Sequence, residues 1–75
     1  MKQLVEYIVK GLVDQPDEVM VTETRRSGAV ILELHVAPDD MGRVIGKGGR
    51  VANSIRSLLR VMAAKDGTRV TLDIV

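Results

Sequence analysis

Seventy-five residues with 45% apolar content suffice for one domain with a small core. The chain has no cysteine, which excludes disulfides and thiolate metal sites, and its single tyrosine, with no Trp or Phe, disfavours modules that stack bases on rings. The net charge of +1 hides a separation: residues 1–40 carry Lys2, Lys10, Arg25 and Arg26 against eight acids, whereas residues 41–65 carry Arg43, Lys47, Arg50, Arg56, Arg60 and Lys65 and no acid at all.

Leu4, Val5, Ile8, Val9, Leu12 and Val13 recur at helical spacing and predict an amphipathic first helix. The segment is apolar enough to suggest a signal sequence, but Glu6 and Lys10 interrupt it and no small-residue cleavage site follows. No stretch is long enough to span a bilayer. With cysteine absent, a soluble cytoplasmic domain in a reducing compartment is the expectation.

Asp14-Gln15-Pro16-Asp17 ends the helix, because proline disfavours helical backbone in the residue before it. Val19 to Thr24 is β-branched and short, which predicts a strand. Arg25-Arg26-Ser27-Gly28 reads as a turn. Val30, Leu32, Leu34 and Val36 then alternate with Ile31, Glu33 and His35, a half-buried strand paired back through a hairpin.

Pro38-Asp39-Asp40 opens a short helix running to Ile45, with proline and acids suited to a first turn. Gly46 stops it. Val51, Ala52, Ile55, Leu58, Leu59 and Met62 form the stripe of a longer helix ending near Lys65, Asp66-Gly67 turns the chain, and Val70, Leu72 and Ile74 alternate in a last strand. The order α-β-β-α-α-β predicts an α+β fold, with three helices on one face of a mixed three-stranded sheet.

Val44-Ile45-Gly46-Lys47-Gly48-Gly49-Arg50 lies at the centre of the basic block. Its glycines let the backbone turn sharply and approach a ligand closely, and the helix that follows directs free N–H groups and a positive dipole end into the loop. A P-loop would require four residues between its glycines and Ser or Thr after the lysine. Here Gly42 and Gly46 are three residues apart and Gly48 follows Lys47. A dinucleotide fingerprint fails at Val51, where its last glycine belongs. Both motifs also need a strand before the loop, and this loop follows a helix.

Gly46-Lys47-Gly48-Gly49 between two helices resembles the Gly-x-x-Gly loop of KH domains, which clamps about four single-stranded nucleotides. The element order resembles type II KH domains. Residues 1–75 as a single KH domain, with Met41-Gly42-Arg43-Val44-Ile45 leading into the loop, are similar to the small KhpA-like KH proteins. The resemblance implies binding of single-stranded RNA, with a role as RNA chaperone or post-transcriptional regulator, and no cofactor. Lys47 and Arg50 would neutralise phosphates, Arg43 would flank them, and one of Val44 and Ile45 would line the groove while the other plugs the core. It also implies that Arg25 and Arg26, on the hairpin, form the opposite wall. Single-stranded DNA stays open, because no residue evidently senses a 2′-hydroxyl. Sparse contacts predict weak, salt-sensitive binding of low sequence specificity.

His35, the only histidine, reads as an exposed strand residue ahead of helix-opening acids and not as a metal ligand. Glu6, Asp14, Asp17 and Glu18 read as a solvated acidic edge. No Ser-His-Asp arrangement or carboxylate pair near the loop suggests catalysis. Arg56 and Arg60, one turn apart, suit a solvated face or an extension of the RNA path equally well. Ser54, Ser57, Val61 and Ala64 share a flank of small side chains on the same helix, suited to packing in a dimer. The resemblance implies a homodimer, or pairing with a larger Jag/KhpB-type KH protein. The alternative function is therefore a protein-interaction subunit for which RNA contact is secondary.

Overall fold

The computed structural model describes residues 1–75. The first helix, α1 (Lys2–Leu12), buries Val5 and Val9 completely, and Leu4, Ile8 and Val13 pack beside them. Leu12, expected in this stripe, lies exposed in the last turn. Val13 turns extended and donates its N–H to the Val9 carbonyl, ending the helix ahead of Pro16. A 3-10 turn follows at Pro16–Glu18, which side-chain periodicity is too short to register.

Strands β1 (Met20–Arg26) and β2 (Ala29–His35) pair antiparallel, with Arg26 opposite Ala29. The turn between them is only Ser27-Gly28, at φ of 43° and 78°. Two consecutive positive φ values match the twist of the flanking strands and close a hairpin in two residues. Arg25 and Arg26 therefore belong to β1, not to the turn.

A 3-10 turn at Pro38–Asp40 leads into α2 (Met41–Ile45), and after the glycine loop α3 (Arg50–Lys65) runs for 16 residues. The Thr68 N–H and hydroxyl both donate to the Ala63 carbonyl and fix the exit from α3. Strand β3 (Arg69–Ile74) then pairs parallel with β2, giving the order β1-β2-β3.

Val21, Val30, Leu32, Leu34 and Leu72 form the sheet side of the core, against Val5, Val9, Val44, Ala52, Ile55, Leu59 and Ala63 from the helices. Each fully buried Val, Leu or Ile among them contributes about 1.5–3 kcal/mol. All three helices cover one face, while Thr22, Glu33, His35, Thr71 and Asp73 lie exposed on the other. The core line of α3 is narrower than its stripe suggested. A helix resting over the edge strand of so small a sheet touches it along one row, filled by Ala52, Ile55, Leu59 and Ala63, so Leu58 and Met62 stay exposed.

Candidate nucleic-acid interface

Gly46 ends α2 at φ 75° and ψ 172°. A Cβ there would stand 2.5 Å from Val51 Cγ2 and 2.9 Å from the Val51 nitrogen, so close packing of loop on helix requires glycine. Gly48, at φ 64°, faces open space. The Gly49 N–H returns to the Gly46 carbonyl and closes the turn. The crest thus places two exposed cations, Lys47 and Arg50, at the N-terminus of α3. That is the chemistry of an anion cradle.

The residues before the loop divide their work. Val44 is fully buried in the core, and Ile45 is exposed next to the glycines. Arg43 does not stand free beside them. Its Nη2 donates to Asp14 Oδ2 at 3.0 Å, and its Nε lies 3.7 Å from Asp40 Oδ1. Asp40 is the only buried charged residue, and it also accepts the N–H groups of Asp14 and Gln15.

Arg25 and Arg26 are not brought to the loop. The Arg69 N–H donates to the Gly28 carbonyl, and Thr68 lines a small cavity of about 190 Å³ together with Arg25, Arg26 and the turn. The hairpin end therefore sits where α3 finishes, while the glycine loop sits where α3 begins. Sixteen helical residues separate them, about 24 Å. A tight two-residue turn is too short to reach back along the helix.

Along α3 runs the edge strand β3 instead. Between α3 and this edge strand lies a cleft of about 400 Å³, lined by Arg56, Leu59, Arg60 and residues 70–73. Gly49, Asn53, Arg56 and Arg60 recur on one helical flank. A polar run follows them: Arg56 Nη1 donates to Asn53 Oδ1, Arg56 Nε to the Leu72 carbonyl, and Arg60 Nε to the Arg56 carbonyl. The N–H groups of Arg69 and Val75 point toward β2, so strand alternation turns the backbone of Val70, Leu72 and Ile74 outward to the cleft. Asn53 and the β3 edge escaped the sequence reading. The spacing of Asn53 from Arg56 and Arg60 was the available signal.

The α3 flank opposite the cleft carries Leu58, Val61 and Met62, which are 47%, 61% and 38% exposed. Ser54, Ser57 and Ala64 adjoin them and are also exposed.

A family model described as KhpA/KhpB, KH domain, matches residues 2–74. RNA-binding protein KhpA of Clostridium acetobutylicum is 53% identical to this chain over 75 residues, covering all of both proteins. The protein of that name from Chlamydia trachomatis is 46% identical over 74 residues, covering 99% of this chain and 95% of its own length. Among solved structures, Aquifex aeolicus Era bound to GDP.AlF4- superposes with a TM-score of 0.68 at 18% identity, over 97% of this chain and 28% of that one. That similarity concerns the fold alone.

Proposed function

This chain belongs to the KhpA/KhpB KH-domain family, and from that membership we propose that it binds single-stranded RNA without acting on it as an enzyme. The observation that carries the proposal is the crest of the glycine loop, where Lys47 and Arg50 stand exposed and without an ion pair at the N-terminus of α3. Phosphates meet these cations and the positive end of the helix. Bases lie over Ile45 and along the cleft, where the backbone of Val70 and Ile74 presents donors and acceptors to their edges. Relatives carrying the name RNA-binding protein KhpA support the choice of RNA.

No aromatic ring lines the cleft, so stacking, worth about 1–3 kcal/mol per base where it occurs, adds nothing. Binding is weak, sensitive to salt and tolerant of sequence, which suits an RNA chaperone or post-transcriptional regulator. Titration of a short single-stranded RNA at two salt concentrations tests this. Wild type loses affinity as salt rises, and Lys47→Asp with Gly48→Asp does not bind. Binding that ignores salt, or that survives both substitutions, refutes the proposal. Equal affinity for the matching DNA shows that the site reads backbone and not the 2′-hydroxyl.

A second reading rests on the exposed Leu58, Val61 and Met62. This flank suits helix-on-helix packing, in a homodimer or with a larger Jag/KhpB-type KH protein. Pairing would join two weak clefts and raise avidity.

A further inference from the structure

Five of the eleven cations of this chain are engaged. Lys10 pairs with Glu6, Arg25 with Glu23, and Arg43 with Asp14 and Asp40; Arg56 and Arg60 donate within the cleft. The side chains left without an ion pair or hydrogen bond are Lys2, the loop pair Lys47 and Arg50, and a group at the far end of α3: Arg26, Lys65 and Arg69. Nothing in the glycine-loop clamp accounts for that second group.

Arg26, Ala29 and Arg69 form one row across the sheet. Ala29 occupies the central strand, and alternation places all three side chains on the helix-free face. The two arginine Cα atoms stand about 10 Å apart, two strand spacings. Between them is only a methyl group, so two exposed guanidinium groups flank a notch. Glu33 and Asp73, the acids on this face, sit four residues along their strands from this row, about 13 Å away. Asp66 precedes Arg69 by three residues but lies in the turn after α3.

The notch continues the cleft. Thr71, on the cleft wall, is the next residue after Arg69 on the same face of β3. A strand leaving the cleft past Thr71 reaches Arg69 first and then Arg26 across Ala29. A guanidinium fits phosphate oxygens in a bidentate manner.

We propose that the Arg26–Ala29–Arg69 notch is a second phosphodiester contact, holding the backbone of the same single strand where it leaves the cleft. The footprint then exceeds the roughly four nucleotides that a glycine-loop clamp holds. The proposal rests on the cleft reading above, and its test keeps the two apart.

The test is fluorescence anisotropy of oligouridylates of about four and about twelve nucleotides, at two salt concentrations, with the full chain. Wild type binds the longer oligomer more tightly. Arg26→Gln with Arg69→Gln binds the short one as wild type does and loses several-fold on the long one. Its salt slope on the long oligomer falls by about 1.4, two phosphates at about 0.7 each. Arg26→Lys with Arg69→Lys retains the slope, which separates lost charge from lost fold. A double Gln variant that keeps wild-type affinity and slope on the long oligomer overturns the proposal, as does a wild type with no gain from length. In Gly48→Asp, retention of short-oligomer binding refutes the cleft reading alone.

Discussion

Asp40 has both carboxylate oxygens committed. Oδ1 accepts the Asp14 N–H and Oδ2 the Gln15 N–H, each at 3.1 Å, with the Arg43 guanidinium beside them. It ties the connection after α1 to the start of α2, which delivers the glycine loop. Asp40→Ala removes the acceptor and leaves those donors and Arg43 uncompensated. The expected loss is about 2–3 kcal/mol, which for a domain of this size lowers Tm by about 10–20 °C. A thermal melt unchanged from wild type would contradict this role. From sequence, Asp40 was legible only as an acid suited to a helix start, because its partners lie 25 and 26 residues away. The pairing of Arg43 with Asp14 was hidden for the same reason, since 29 residues separate them. Gly46 was legible as a helix stop, but the approach of Val51 that makes glycine necessary was not.

At the scale of elements, α3 has three faces: the core row, the cleft row of Asn53, Arg56 and Arg60, and the exposed apolar flank of Leu58, Val61 and Met62. The two solvent faces are separable. Arg56→Ala is expected to weaken binding of a short RNA several-fold and leave the mass in solution unchanged. Val61→Glu is expected to leave short-RNA binding unchanged and to halve the mass if the flank pairs two copies. Sedimentation velocity and titration of both variants check this, and a Val61→Glu mass equal to wild type rules out that interface. Periodicity located the helix to within a residue at its start. It could not separate the core row from the apolar flank, since leucine and methionine read as core wherever they fall near the stripe. The width of the sheet beneath decides which of them is covered, and only tertiary structure reveals that width.

At the scale of the molecule, the α+β architecture, the helix-covered face and the parallel placement of β3 were all legible. They follow from hairpin length, crossover length and alternation, which are local properties. The opposite wall of the cleft was not. The hairpin arginines were expected beside the loop, whereas the direction of α3 carries them about 24 Å away and gives the wall to β3. Lys2 aside, the cations without an ion pair or hydrogen bond consequently divide between the two ends of α3 instead of forming one patch. In the proposed complex, single-stranded RNA lies between the glycine loop, α3 and the β3 edge. Amide chemical-shift mapping with a short single-stranded RNA tests it most directly. The largest changes are expected at Lys47, Gly48, Asn53, Arg56, Arg60, Val70 and Leu72; changes confined to α1 and β1, with these residues unmoved, would contradict that placement.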